Sequence, residues 1–361
     1  MSKALPTDEH TVFVLGAGAS VAEAMQRRPR RSKNYPPLDA TFFRNAHQHG
    51  NTALLEKVVE QAAELGEQDL TGDSPPVSLE AHLGRLYFEM NHNPIKVSTR
   101  SYFEAVTLYA WEITATTNWM MGKPGLMKRV IQSELKAGRR VSIVTFNIDL
   151  LAENALNCLD KGRPRAEWCL KKAYGFLPDK EFILFDAKGY GDWFEPEGDI
   201  AEILLFKMHG SVNWVFQHRD RHPPADLVSK RRTFDIVLNE RLPQTSLTIK
   251  RQNDTRNWYT SPLIVPPVYE KHGLIKRHLQ DVWDGASEAL SDASKIVFWG
   301  YSFPRADTHA RHYFQGLSAE NTALRDAITI NPDPNAESAL WDVLRPKSVR
   351  HYRSAADYLV A

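Results

Sequence analysis

Short apolar runs alternate with helical patterns along most of the chain, and this alternation predicts an α/β fold. Runs rich in Val, Ile and Phe lie at residues 11–15, 141–144, 203–206, 296–299 and 327–330. Their near-continuous hydrophobicity is typical of strands buried on both faces, as in a parallel sheet. Most of them are followed by a turn and then by apolar residues at helical spacing. We therefore predict a Rossmann-like parallel sheet with helices on both faces.

The long interval between the first two strands has helical periodicity. Apolar residues recur on one helical face over residues 54–62 and again over residues 79–87, and two more helical patterns follow before the second strand. This predicts a helical insertion at residues 45–138 within a single domain of residues 1–361. Weaker strand patterns, which we assign to no position in the sheet, lie at residues 182–185, 234–238, 246–250 and 263–267.

Composition narrows the class of protein. The 361 residues are 42% hydrophobic with a net charge of +1, so no bulk field favours nucleic acid or an anionic membrane, although a local basic patch stays possible. The chain lacks both a run long enough to span a bilayer and the apolar core of a signal peptide, which predicts a cytoplasmic protein. Cys158 and Cys169 are too few for a cysteine-rich zinc site. His309 and His312 have the spacing of metal ligands but no third ligand in view, so no metal is expected.

The first strand runs into a glycine-rich turn, with Gly16, Ala17, Gly18 and Ser20 at the start of a predicted helix. Glycines let a backbone approach a pyrophosphate closely, and a helix N-terminus supplies N–H donors and a positive dipole end. The third glycine of the usual dinucleotide fingerprint is replaced by Val21. Two interpretations stay open, a dinucleotide-binding loop and an ordinary tight turn between strand and helix.

Asn147 and Asp149 follow the second strand directly. In open α/β sheets, ligands bind at the carboxyl ends of the strands. Asn and Asp are also good N-caps, so the same residues could simply start the helix predicted over residues 150–158. A functional and a structural interpretation are therefore both open here.

The next three strands of the predicted sheet also end in polar or small residues. His209 follows the third strand, Gly300 and Ser302 follow the fourth, with Asp307 opening the next helix, and Asn331 follows the fifth. Histidine suits proton transfer near neutral pH, glycine and serine at a helix start can hold phosphate, and Asn can bind a ribose hydroxyl. The structural alternatives are a buried histidine, a turn and a helix cap.

A basic segment follows the glycine-rich turn and its helix. Five of the seven residues 27–33 are Arg or Lys, and the neighbouring prolines disfavour a helix. The segment is either a solvated charge run or a flap over bound phosphates that could also contact a partner.

The order of these motifs resembles the sirtuin superfamily. GAGAS at residues 16–20, TFNID at 145–149, HGS at 209–211, GYS at 300–302 and IN at 330–331 occur in the family's order over residues 11–335. The set looks most like the sirtuin-like domains of bacterial anti-phage defence proteins. The resemblance implies NAD as substrate, with its pyrophosphate on Gly16, Ala17, Gly18 and Ser20. It also implies Asn147 and His209 at the nicotinamide ribose, Asp149 by the nicotinamide, Ser302 by the phosphates that the turn at Gly300 could also help to hold, and Asn331 by the adenosine ribose.

Departures from the family's pattern redirect the implied activity. Deacylating sirtuins carry a four-cysteine zinc ribbon, which two cysteines cannot make. They also have a Gly-Ile-Pro-Asp-Phe-Arg stretch where this chain has its basic segment, and a Gln in place of Phe146. Without a peptide groove the resemblance favours the defence-type reaction, hydrolysis of NAD to nicotinamide and ADP-ribose by an abortive-infection effector, with cyclic ADP-ribose as a possible variant.

Two other classes of function remain open at this stage. One is a non-catalytic NAD or ADP-ribose sensor, and the other is an ADP-ribosyltransferase or deacylase. The presence of both Asn147 and His209 favours catalysis over sensing. The resemblance also implies control through a homo-oligomer or a partner, such as a DNA-translocating ATPase or an Argonaute-like protein, because little sequence follows residue 335 to hold a further sensor domain.

Overall fold

Six parallel strands form the central sheet of the protein. The computed structural model describes residues 9–28, 35–50, 52–67, 70, 77–93, 99–159, 174, 183–184, 203–219, 235–238, 249–250, 257–265, 275–303, 307–344 and 346–361. The strands of this sheet are β1 (His10–Leu15), β2 (Arg140–Thr145), β4 (Leu204–Lys207), β9 (Lys295–Trp299), β10 (Asp326–Ile330) and β11 (Val349–Tyr352). Their order is β11-β10-β9-β1-β2-β4, and every neighbouring pair is parallel. The predicted Rossmann-like fold is confirmed.

Helices connect these strands. They are α1 (Ala17–Arg27), α2 (Phe42–His49), α3 (Thr52–Glu64), α4 (Leu79–His92), α5 (Thr99–Thr117), α6 (Leu126–Lys136), α7 (Leu151–Leu159), α8 (Gln280–Ser291), α9 (Thr308–Glu320), α10 (Asn335–Leu344) and α11 (Ala355–Val360). Helices α2 to α6 occupy the interval between β1 and β2, where the helical insertion is predicted. None of the helices in the described ranges is long and apolar enough to cross a membrane.

The strand order sets the position of the site. From β1 the chain builds outward through β2 and β4 on one side, then crosses back and builds outward through β9, β10 and β11 on the other. The connections after β1 and β9, which are neighbours in the sheet, therefore leave in opposite directions. In open α/β sheets such a switch point opens a crevice at the carboxyl ends of the strands.

A second, mostly antiparallel sheet was not predicted. It consists of β3 (Ile183–Leu184), β5 (Gly210–His218), β6 (Asp235–Leu238), β7 (Ile249–Lys250) and β8 (Asn257–Ile264), in the order β3-β6-β5-β8-β7. The weak strand patterns of the sequence fall in this sheet. Only two residues, Met208 and His209, separate β4 from β5, so the turn that they form joins the two sheets.

The amino ends of the strands are closed by buried polar contacts. Glu134 of α6 accepts hydrogen bonds from Thr11 Oγ1 at 2.8 Å, Lys295 Nζ at 2.9 Å and Tyr358 OH at 2.7 Å. Burial alone would raise the pKa of Glu134, but the Lys295 ammonium and the hydrogen bonds hold it below its usual value. These contacts hold the C-terminal helix α11 against β1 and β9. The polar groups at this edge of the sheet therefore have a structural role.

His10 is a second buried group at the amino edge. It is 2% exposed, its Nε2 lies 3.0 Å from Ser142 Oγ, and its Nδ1 lies 3.0 Å from the Arg140 guanidinium. Burial, with a smaller contribution from Arg140, lowers the pKa of His10 from 6.5 to about 4. The imidazole is therefore neutral in the folded protein at neutral pH.

His10 should make the protein less stable in mild acid. Because its folded pKa lies below its unfolded pKa, the unfolded chain takes up the proton first as pH falls. The stabilising contribution is complete above pH 6.5 and is lost as pH falls towards 4. Between about pH 7 and about pH 5 this one group should cost about 2 kcal/mol of unfolding free energy. Urea unfolding of wild type and His10→Gln at both pH values checks this, and equal pH dependence in the two proteins would contradict it.

Candidate functional site

The loop after β1 and the loop after β9 interlock at the switch point. Gly16 N donates to Trp299 O at 3.0 Å, and Gly18 N donates to Gly300 O at 3.1 Å. Gly300 has φ of +63°, and a Cβ atom on it would lie 2.2 Å from Ala19 N. The backbones can approach this closely only because glycine occupies these positions. The glycines therefore have a packing role. Such a role is what the second interpretation of the motif, an ordinary tight turn between strand and helix, requires.

The N-terminus of α1 opens beside this contact. Gly16 is its N-cap residue and supplies no side-chain hydrogen bond, and Ala17 in the first turn is exposed. Ser302, on the neighbouring loop, is also exposed, and it precedes Phe303, which has a positive φ of 51°. An uncapped helix N-terminus presents N–H donors and a positive dipole end, so this part of the crevice favours an anion.

Asn147 is held by the loop after β1. Its Nδ2 donates to Gly16 O at 2.9 Å and to Ser20 Oγ at 3.0 Å. Since a carbonyl oxygen can only accept, the contact with Gly16 fixes which end of the amide faces α1. Both N–H groups are then used, and Oδ1 is the atom of the amide that can accept a hydrogen bond from a ligand or a water.

Ser20 continues the same chain of hydrogen bonds. It is 1% exposed, and its hydroxyl donates to Asp149 Oδ2 at 2.5 Å. Asp149 Oδ1 accepts from Leu151 N at 2.9 Å at the start of α7. Asp149 therefore caps α7, as the structural interpretation of this residue predicts. Its other oxygen contacts Ser20 at the site. Consecutive hydrogen bonds of this kind polarise one another and hold Asn147 in one orientation.

A buried lysine, which sequence reasoning did not single out, supports this loop from below. Lys207 at the end of β4 is fully buried, and its ammonium donates to Asp149 O and, at 2.9 Å, to Glu153 Oε1. Tyr174 OH donates to the same Glu153 oxygen at 2.9 Å. The sequence did contain a signal for this contact, namely a charged residue at the end of an apolar strand. A charge buried at such a position needs a partner.

His209 lies beside the segment that contains Asn147. Met208 N donates to Thr145 O at 2.9 Å, and Val212 N donates to Ile148 O at 3.0 Å. His209 is 5% exposed, and its backbone oxygen accepts from Val265 N at 2.9 Å. The two motifs that are far apart in sequence therefore run side by side at the carboxyl edge of the sheet.

Asp307 is the charged group that faces His209. Its Oδ2 lies 3.5 Å from His209 Nε2 and 3.5 Å from Tyr301 OH. Its Oδ1 accepts from Ala310 N at 3.1 Å, which confirms that Asp307 opens the helix α9. The sequence indicated this cap, but it gave no signal of the contact with His209.

Phe146, where sirtuins have Gln, packs in an aromatic layer beneath the site. Its ring stacks on Tyr301 with centroids 4.5 Å apart and meets the ring of His209 edge-on at 5.2 Å. It also contacts Trp283 and Phe314. Because Phe146 is 7% exposed, its main contribution is packing that fixes the His209 ring from one side.

Carboxylates surround two tyrosines at the site. Burial, followed by Asp307, raises the pKa of Tyr301 well above its usual value, and Glu80 of α4 acts in the same direction. Burial raises the pKa of Tyr109 on α5, and Asp149 is the largest of the charges that add to it. Both hydroxyls therefore stay protonated at neutral pH and can donate hydrogen bonds. Helices α4 and α5 thus bring charge and hydroxyl groups to the site from the interval between β1 and β2.

The contacts of Asn331 and of the described part of the basic segment, Arg27 and Arg28, are structural ones. Asn331 Oδ1 accepts from Asp333 N at 3.0 Å, in the turn that leads into α10. Arg27 pairs with Glu23 at 2.5 Å at the C-terminal end of α1, away from the anion-favouring N-terminus. Arg28 stacks over Trp119 at 4.4 Å. Residues 29–34 lie outside the described ranges.

The predicted site residues thus meet at one edge of the sheet. One series of hydrogen bonds runs from Trp299 through Gly16, Asn147 and Ser20 to Asp149. A second series of contacts runs from His209 through Asp307 to Tyr301, which follows Gly300 in the chain. Together they border the crevice. They bring together an anion-favouring helix end, an amide of fixed orientation and a histidine with a carboxylate. These groups can hold a phosphate ester, orient a water and accept its proton. Over the described ranges, no group of three or more His, Cys, Asp or Glu converges as a metal site.

No protein-family model matches the chain, and no curated protein matches it either. A solved Sir2 homologue carrying a serine-to-alanine substitution, in complex with ADP-ribose, matches with a TM-score of 0.42 and 12% identity over 97% of this chain and 88% of that chain. A histidine-to-asparagine variant in complex with ADP-ribose gives 0.42 and 13% over the same shares. A structure on the mechanism and regulation of Sir2 enzymes gives 0.38 and 13% over 98% and 89%. Similarity this low does not assign the chain to a family.

Proposed function

We propose that this protein is an NAD glycohydrolase, which cleaves the bond between nicotinamide and ribose and releases ADP-ribose. The observation that carries the proposal is the joint position of Asn147 and His209. The amide of Asn147 is pinned to the loop that begins α1, and His209 lies on the adjacent segment against a buried carboxylate. The motifs that resemble sirtuins agree with this assignment.

The substrate would lie along the crevice. Its pyrophosphate would sit at the N-terminus of α1, on the backbone of Gly16, Ala17 and Gly18, with the Ser302 hydroxyl at the rim. The adenosine ribose would extend towards Asn331 at the end of β10. Gly300 would act indirectly, because its main contact is with the loop that receives the pyrophosphate. The nicotinamide ribose would then reach Asn147 and His209.

The reaction needs a positioned water and a base. Breaking the bond between nicotinamide nitrogen and ribose C1′ leaves both bonding electrons on nicotinamide and an oxocarbenium-like cation on the ribose. Asn147 Oδ1 would accept a hydrogen bond from the attacking water, and His209 would take its proton as the oxygen bonds to C1′. The products are nicotinamide, ADP-ribose and one proton. Base assistance of this kind contributes about 10²–10⁴-fold in rate.

The carboxylates near the site suit this charge change. Asp149, Asp307 and Glu80 lie within electrostatic range of the site tyrosines. The nicotinamide ring is cationic in NAD, and positive charge moves to the ribose as the bond breaks. Fixed negative charges in a low-dielectric crevice stabilise such a cation.

Such an enzyme has to be restrained in the cell that makes it. Continuous hydrolysis of NAD would deplete that cell, so our proposal includes control by self-assembly or by a partner protein that responds to infection. The role is then that of an abortive-infection effector. Under this proposal NAD turnover rises with the oligomeric state or on addition of the partner, and mass photometry run beside the turnover assay would detect the change.

Nicotinamide release from NAD by the purified chain tests the function. We expect release without any acyl-peptide or protein acceptor, because hydrolysis needs only water. Dependence on an acylated peptide would indicate a deacylase instead. Calorimetric binding of NAD without release, in every oligomeric state that the protein adopts, would indicate a sensor and contradict the proposal.

A further inference from the structure

We propose that Asp307 is a positioning residue for His209, forming a buried carboxylate–imidazole pair that sets the orientation and proton affinity of the ring. Only the catalytic effect of this pair rests on the proposed function. The pair itself is a physical property that can be measured without any substrate.

Asp307 has one oxygen for the helix and one for the histidine. Oδ1 caps α9 through Ala310 N at 3.1 Å, and Oδ2 lies 3.5 Å from His209 Nε2. Ser, Thr and Asn cap helices about as well as Asp does, so capping alone does not require a carboxylate. Asp307 is 1% exposed, and burying an unneeded charge is costly. The second oxygen therefore has a separate use, which the contact with His209 supplies.

The surroundings hold the imidazole in this pair. The Phe146 ring meets it edge-on at 5.2 Å, and the backbone of His209 is fixed by Val265 N at 2.9 Å. Tyr301 OH donates to the same Asp307 oxygen at 3.5 Å, and burial keeps that hydroxyl protonated by raising the pKa of Tyr301. The pair thus packs against an aromatic ring, and its carboxylate accepts a hydrogen bond from a protonated hydroxyl.

Three other charged or titratable groups near the pair, all within the described ranges, have contacts of their own. The Lys207 ammonium, two residues before His209, contacts Asp149 O and Glu153. His309 on α9 packs against the ring of Trp283 at 4.7 Å. Arg311 donates to Phe303 O at 3.0 Å. Glu80 and Arg311 act electrostatically on Tyr301. Among the charged side chains described so far, Asp307 is the one observed in contact with the His209 ring.

The pair has a direct chemical consequence. A carboxylate facing Nε2 favours the tautomer in which Nε2 carries the hydrogen, and this directs the lone pair to Nδ1. It also stabilises the imidazolium that forms when His209 accepts a proton. In the proposed reaction, Nδ1 is therefore the atom that takes the proton from water.

The test measures the titration of His209 by NMR in wild type and in Asp307→Asn. Asn keeps the size and the cap of Asp307 but removes its charge, and a His209→Gln spectrum assigns the signal among the 13 histidines. We expect the pH midpoint of His209 to fall by about one unit or more, the usual effect of losing an adjacent opposite charge. Asp307→Ser, which also keeps the cap, should lower it similarly, and Ser78→Ala, which removes the cap of α4, should leave it unchanged. An unchanged pH midpoint of His209 in Asp307→Asn would contradict the proposed pair.

Kinetics add a readout that a structural role would not give. With active enzyme, Asp307→Asn should lower kcat by about 10²-fold with little change in KM, because His209 is then less basic and less well oriented while substrate binding is kept. Combined with His209→Ala, it should add no further loss, since Asp307 acts through His209. An additive loss would overturn the positioning role. A shifted midpoint in a protein without NAD turnover would uphold the pair and reject the proposed function.

Discussion

Replacing Asn147 or His209 with Ala should slow nicotinamide release by at least about 10²-fold, the lower end of what acid–base assistance contributes. Asn147→Ala removes the oxygen that would hold the water, and His209→Ala removes the proton acceptor. Neither change should unfold the protein. The lost hydrogen bonds of Asn147 are worth about 1 kcal/mol of unfolding free energy. Steady-state kinetics with parallel thermal melts would measure both effects.

Two matched variants separate loss of chemistry from loss of structure. Asn321 Nδ2, like Asn147 Nδ2, donates two hydrogen bonds, here to Leu290 O at 2.7 Å and Ala293 O at 3.0 Å, and Asn321 lies after α9. His351 on β11 lies 2.6 Å from Thr329 Oγ1. Asn321 Oδ1 also accepts from Ala323 N and Leu324 N, so Asn321→Ala should cost at least as much stability as Asn147→Ala. Both Asn321→Ala and His351→Ala should retain turnover. Full activity in Asn147→Ala or His209→Ala would remove that residue from the mechanism, and inactivity together with unfolding would assign it a structural role.

Gly300→Ala should disrupt the site through the backbone. Its new Cβ would lie 2.2 Å from Ala19 N and 2.4 Å from Gly18 C, and φ would stay at +63°. Overpacking and left-handed strain together should cost at least about 3 kcal/mol of unfolding free energy. The separation of the loops would also displace the groups that hold Asn147. We expect a lower melting temperature and weaker NAD binding, measured by calorimetry.

Gly138 provides the matched control for backbone strain. It has φ of +80°, but a Cβ atom there meets nothing within 4 Å. Gly138→Ala should therefore cost only the strain, about 1–2 kcal/mol, and leave NAD binding intact. If Gly300→Ala were no more destabilising than Gly138→Ala, the interlocked loops would not be needed to form the site.

The sequence was sufficient to predict five of the six strands of the central sheet and the meeting of the motifs at one edge. The strands at residues 11–15, 141–144, 203–206, 296–299 and 327–330 all occur, with bounds within one or two residues. Buried parallel strands have a strong local signal because both faces are apolar. Parallel strands also share one carboxyl edge, so residues after different strands could be expected to converge without knowing any contact.

Features that depend on long-range pairing were not predictable. β11 and the second sheet contain polar or short strands, whose periodicity is weak until their partners are known. The partners of Lys207 and Asp307 lie 54 and 98 positions away in the chain, respectively, so no local pattern indicates them. Phe146 stood out as a departure from the sirtuin motif, but its packing on Tyr301 could be read only from the structure.

The most direct test of the proposed hydrolysis is the mass of the ADP-ribose that forms from NAD in water enriched in oxygen-18. If the attacking nucleophile is the water held by Asn147 and deprotonated by His209, each ADP-ribose carries one heavy oxygen at C1′ as it is formed, and nicotinamide is released in equal amount. Analysis at early times avoids later exchange of that oxygen with solvent. Unlabelled ADP-ribose at early times, or ADP-ribose transferred to a protein instead of water, would contradict the account.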